Sequence, residues 1–114
     1  MKPYMEVAVS FASALVSGDF ARANALLIPE LRTQLSRDAL REKLYGMFRG
    51  YACGEPRSIF EEQFQLDDWP DKRAGDVGWA YLGIVGDDFV EGVTVIVAKS
   101  EGELLIREIE WGRP

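Results

Sequence analysis

Residues 77–98 read VGWAYLGIVGDDFVEGVTVIVA, and the fold class turns on this stretch. Two apolar runs, 77–85 and 89–98, flank Gly86-Asp87-Asp88, a cluster of the kind that reverses a chain. Both runs are apolar at successive positions, not alternate ones. Trp79 and Tyr81 stand against Ala80, Leu82 and Ile84, and Val93, Val95 and Val97 stand against Thr94 and Ile96. Strands of this composition have two faces to cover. Helices cover one, and the other predicts a sheet-to-sheet homodimer, because monomers rarely leave so large an apolar patch open.

The same period of 2 extends on either side. Ser100-Glu101-Gly102 turns the chain into a strand at about 103–111. Upstream, Phe60, Glu62, Phe64 and Leu66 alternate with Glu61, Gln63 and Gln65, which predicts a strand at about 57–67 with one buried face. The four strands, about 57–67, 76–86, 89–99 and 103–111, follow one another through tight connections, as in an antiparallel meander.

Before residue 57 the period is 3.6. Met5, Ala8, Val9, Ala12, Leu15 and Val16 form a helical stripe over 4–17, widened by Val7, Phe11 and Ala14. A helix this apolar is expected to be buried on most sides. Asp19 caps a second helix at about 20–27, which Pro29 stops. Ser36 caps a third at about 37–48, with Leu40, Leu44, Met47 and Phe48 on one face. Helices first and strands after define an α+β chain: three N-terminal helices packed on a four-stranded antiparallel meander sheet. At 114 residues there is room for one core, hence a single domain, 1–114.

Composition narrows the chemistry. With 47% hydrophobic and 28% charged residues the chain reads as soluble and globular. It has no histidine, so no Ser-His-Asp or Cys-His pair forms. Its one cysteine, Cys53, builds neither a zinc site nor an internal disulfide, a count that suits the cytoplasm. The acidic clusters Asp67/Asp68/Asp71 and Asp87/Asp88/Glu91 lack the ligand spacing of an EF-hand, so no metal and no cofactor is expected. The run 7–16 is too short to span a bilayer, and Glu6 at its edge argues against a signal-peptide core.

Charge is unevenly spread. Residues 20–57 carry seven basic and four acidic side chains, net +3, whereas residues 58–114 carry five basic and thirteen acidic, net −8. The acidic half would repel phosphates, which excludes nucleic acid. The favoured reading is that the basic helical half and the acidic sheet half attract each other. The alternative is an acidic surface that steers a basic protein partner.

The segment FASALVSGDFARANALL, a helix followed by Gly18-Asp19 and a short second helix, resembles the opening of the NTF2-like (SnoaL-like, cystatin-like) superfamily. The closing EGVTVIVAKSEGELLIREIEWGRP is similar to its last two strands. The resemblance implies a cone, with a bent sheet wrapped around the first helix and a pocket between them, here in a bacterial-type member. That group includes enzymes, transport factors and immunity proteins, so fold alone does not fix function. Its isomerases and cyclases work with an Asp or His base opposite a Tyr or Asp donor. No catalytic residue transfers position by position, and Phe11 stands on the first helix where a Tyr would be informative.

Candidate residues are the polar and aromatic side chains on apolar strand faces. Glu62 lies between Phe60 and Phe64, and Glu91 shares a parity with Phe89, Val93 and Val95. A carboxylate desolvated there would act as general base or acid; the structural alternative pairs it with Arg107 or Arg57. Glu108 and Glu110 extend the parity of Leu104 and Ile106 unless a bulge swaps faces. Tyr51, Trp79, Tyr81 and Trp111 are candidate lining for a small apolar ligand. The expectation is therefore a non-catalytic homodimeric domain binding a small molecule or a protein through Tyr51, Glu62, Trp79, Tyr81, Glu91, Arg107 and Trp111. The alternatives are a small isomerase or cyclase using Glu62 or Glu91 with Tyr81, and an immunity-type binder of a basic protein.

Overall fold

The computed structural model describes residues 1–112, apart from the side chain of Glu62. The helical part runs α1 (Pro3–Ser17), α2 (Phe20–Ala25), α3 (Pro29–Gln34) and α4 (Arg37–Gly46). The strands are β1 (Pro56–Leu66), β2 (Asp76–Gly86), β3 (Val90–Ser100) and β4 (Glu103–Trp111). All neighbours pair antiparallel in the order β1-β2-β3-β4, giving an α+β fold with helices against one face of a curved sheet. Leu27 adds a single parallel bridge to Ile106 beyond β4, where Ile28 N–H donates to the Ile106 carbonyl at 2.9 Å. Among the described residues no helix is long and apolar enough to cross a membrane.

One helix beyond the three expected is present. Pro29 does not merely end α2; it occupies the first turn of α3. Proline there loses no hydrogen bond, since the first N–H groups of a helix have no intrahelical partner, and its fixed φ suits the turn. The expected caps are in place: Asp19 accepts from Arg22 N–H at 3.1 Å and Ser36 from Ala39 N–H at 3.2 Å.

α1 crosses all four strands. Its residues Met5, Ala8, Phe11, Ala12, Ala14 and Leu15 are buried against a sheet face made of Ala80, Leu82 and Ile84 from β2, Val93, Val95 and Val97 from β3, and Ile106 from β4. Ladder pairs Leu82 with Val93 and Ala80 with Val95, so these side chains share that face. Gly78 lies in the same row, where the Tyr4 ring takes the space of a side chain: a Cβ there would come within 2.1 Å of the ring. The β3–β4 turn needs positive φ at both central residues, Glu101 (51°) and Gly102 (83°), as in a two-residue type I′ loop.

Two irregularities set which side chains face which way. On β4, Ile106 pairs with Val97 and Glu108 with Ile96, so Arg107 is an extra residue and the faces swap after it. Glu108 and Glu110 consequently turn away from the helices, while Ile109 and Trp111 turn toward them. On β1, the three residues between Ile59 and Gln63 oppose only Gly83, between Ile84 and Leu82, which makes Phe60–Glu62 a bulge. Beyond it Phe64 pairs with Tyr81 and Leu66 with Trp79, so the apolar parity of β1 lies on the face opposite the helices. The buried face expected of β1 is instead exposed, because the helical cover lies on the other side of the sheet.

Candidate functional site

The helix-free face carries an aromatic surface. Phe60, Phe64 and Leu66 from β1 and Val90 from β3 are 45%, 58%, 44% and 44% exposed, beside half-buried Trp79 and Tyr81 of β2. Glycines make the surface possible. Phe60 packs over Gly83, where a Cβ would sit 3.0 Å from its ring, and the Tyr81 hydroxyl lies over Gly92, 2.3 Å from where a Cβ would be. Phe64 meets Tyr81 with ring centroids 6.3 Å apart at 52°. Between them lies a shallow hollow of about 150 Å³ lined by Phe60, Phe64, Tyr81, Gly83 and Val90.

Toward β4 the same face becomes polar and fixed. Arg107, projected by its bulge, grips Asp76 at the start of β2 through two hydrogen bonds, Nε at 2.6 Å and Nη2 at 2.7 Å. The two side chains are only 11% and 1% exposed. Asp76 also accepts from Arg73 N–H at 2.8 Å. Hydrogen bonding to Arg107, above all, holds the Asp76 carboxyl below the usual carboxylate range against the opposing effect of burial. Thr94, paired with Tyr81 and 4% exposed, keeps a hydroxyl with no hydrogen-bond partner among the described residues.

The residues expected to form one site occupy two faces. Trp79, Tyr81 and Arg107 stand on the helix-free face. Glu91, 7% exposed and paired with Ile84, faces the helices, where it accepts a hydrogen bond from the Tyr51 hydroxyl across forty residues of sequence. Trp111 is also on that side, its ring 6.4 Å from Phe11. The side chain of Glu62 lies outside the described residues; its backbone belongs to the β1 bulge. The pairing of Glu91 with Tyr81 expected of an enzyme is corrected by this register, since the two residues project from opposite faces. The structural alternative also changes partners, because Arg107 pairs with Asp76 and Arg57 with Asp87 at 2.7 Å.

The acidic turns are committed to holding the chain together. Asp67 accepts from Lys2 Nζ at 2.5 Å and from the Tyr4 hydroxyl at 2.9 Å. Burial, followed by the bond to Asp67, pushes the Tyr4 phenol up to about 12, and Lys2 and Tyr4 together hold Asp67 low. Asp88 accepts from Cys53 and Gly54 N–H groups at 3.0 and 2.9 Å, and Asp87 from Glu55 N–H at 3.2 Å. These two carboxylates therefore clamp the segment leading into β1 to the β2–β3 turn.

The helical arginines do not reach the acidic half. Among the described residues Arg22, Arg32, Arg37, Arg41 and Lys43 make no ion pair, and the basic segment meets the acidic half through Arg57–Asp87. Sequence reasoning missed Asp76, although an Asp at the head of an apolar strand and an Arg among β4 carboxylates were both visible. It also missed the exposed roles of Phe60, Phe64 and Val90. No family model, no curated protein and no solved structure matches the chain.

Proposed function

We propose that the chain is a non-catalytic binding domain that works as a homodimer, two copies meeting through the helix-free faces of their sheets. The observation that carries this reading is the clustering of Phe60, Phe64, Leu66 and Val90, all close to half exposed, on one sheet face. Phe60 and Phe64 leave about 200 Å² open between them on the usual scale of aromatic side-chain area. With Leu66, Val90, Trp79 and Tyr81 the apolar area is about 400 Å², half of the roughly 800 Å² that each partner contributes to a standard interface. The polar residues around it supply the remainder. A twisted sheet face is also a natural partner for its own copy, because aligned sheets stack about 10 Å apart and interdigitate.

The order of helices followed by a meander, with α1 laid across all four strands, supports an NTF2-like cone. In that cone the helix-facing side is filled by packed side chains, and a small apolar ligand would compete with the second copy for the hollow at Phe60, Phe64 and Tyr81. A second reading, a small isomerase or cyclase, is favoured by one observation, the nearly buried Glu91 held by Tyr51. Light scattering tests the leading reading. The native chain is expected at twice its 12.8 kDa mass and Phe64→Asp at 12.8 kDa. A native monomer across the micromolar range refutes the dimer.

A further inference from the structure

The arginines left without acidic partners line a groove on the opposite side of the molecule. Two hollows of about 360 and 330 Å³ adjoin between α2 and α4, sharing Ala21 and Arg37. Arg32 borders one and Arg41 the other, and all three arginines are exposed. We propose that this groove docks a short acidic peptide segment carrying two carboxylates two residues apart.

The groove is built, not fluid. Asn24 donates both amide hydrogens, to the Arg32 carbonyl at 3.0 Å and the Leu35 carbonyl at 2.7 Å, which ties α2 to the end of α3. Arg32 Nη2 is anchored on the Leu27 carbonyl at 2.8 Å. Arg41 lies over the Tyr45 ring at 5.1 Å, which steadies the guanidinium without neutralising it. Arg37 makes no hydrogen bond or ion pair through its side chain among the described residues. Three arginines without a carboxylate partner on a chain of net −6 are not a by-product of overall charge.

The spacing selects the ligand. Arg37 and Arg41 stand four residues apart on α4, about 6 Å along the axis. Alternate side chains of an extended peptide are separated by about 6.6 Å, so a Glu-x-Glu segment presents carboxylates in step with the two guanidinium forks. Asp19 and Asp38 line the same hollow as Arg37 and Arg41 and confine the positive field to a short stretch, and the net −8 of residues 58–114 repels a long polyanion. Half-buried Phe20 gives an apolar contact for a residue flanking the carboxylates.

A fluorescein-labelled peptide alternating glutamate with alanine, with a leucine at one end, tests this by anisotropy titration. Saturable binding that weakens with salt is expected, with a loss of about tenfold or more in R37E/R41E. R37K/R41K should fall between, since lysine lacks the fork, and R49E should bind as the native chain does. A peptide of equal charge with its glutamates grouped together should bind more weakly. Monomeric Phe64→Asp should bind as well as the native chain, which separates this site from the sheet face. Absent binding, undiminished binding by R37E/R41E with native circular dichroism, or more potent competition by inorganic tripolyphosphate than by unlabelled peptide would each overturn the proposal.

Discussion

The two faces of the sheet are made of similar residues and have different fates. The helix-facing side, with Ala80, Leu82, Ile84, Val93, Val95 and Val97, is wholly buried by α1 and its neighbours. The other side, with Phe60, Phe64, Leu66 and Val90, is left near half exposed. Apolar composition therefore does not say which face is core; the position of the helices does. Substitutions on the two faces should separate stability from association.

The largest effect is expected where the open face is locked at its polar end. Asp76→Ala removes one partner of a nearly buried pair and strands Arg107, at a cost of about 4 kcal/mol in urea unfolding. The sign of its pH dependence follows from the depressed Asp76 pKa. Its stabilisation is fully present above the unfolded carboxylate pKa of about 3.9 and is lost as pH falls through the lower folded value. Native stability should therefore drop in acid more steeply than that of Asp76→Ala, and parallel pH curves would show that the pair does not act this way.

Next comes the core itself. Leu82→Ala should cost about 3 kcal/mol by leaving a cavity under α1. Phe64→Ala on the other face of the neighbouring strand should cost under about 1 kcal/mol when measured in a monomeric background. Equal losses would erase the distinction between the faces. Gly78→Ala is expected to cost about 2 kcal/mol, because its methyl group meets the Tyr4 ring at 2.1 Å and α1 must shift. Tyr4→Phe should cost about 1 kcal/mol, from losing the bond to Asp67 while keeping the ring over Gly78. A larger loss in Tyr4→Phe than in Gly78→Ala would mean that Asp67, not packing, fixes the start of α1.

Sequence patterning made much of this legible. The strands at 76–86 and 103–111 and the helix at 4–17 follow from periodicity, because each is long and its apolar residues are dense. The two-faced apolarity of β2 and β3 was equally visible. The α3 helix was hidden because Pro29 marks both an end and a beginning. On β1 the alternation was legible but not the side it faces: the two extra residues at the bulge preserve parity, and the position of the helices, not the pattern, leaves Phe60, Phe64 and Leu66 exposed. The site suffered most, as its contacts are long-range: Tyr51 with Glu91 and Asp76 with Arg107 join segments that no local pattern connects. The Glu108/Glu110 swap was legible as a condition, and the Arg107 bulge fulfils it.

If the open face closes on a second copy, thermal unfolding depends on protein concentration. A dimer gains stability by mass action, so the native midpoint should rise as concentration is raised from about 1 to 100 μM, while that of Phe64→Asp stays fixed. Native and variant midpoints that are both independent of concentration would mean that the face stays open in solution.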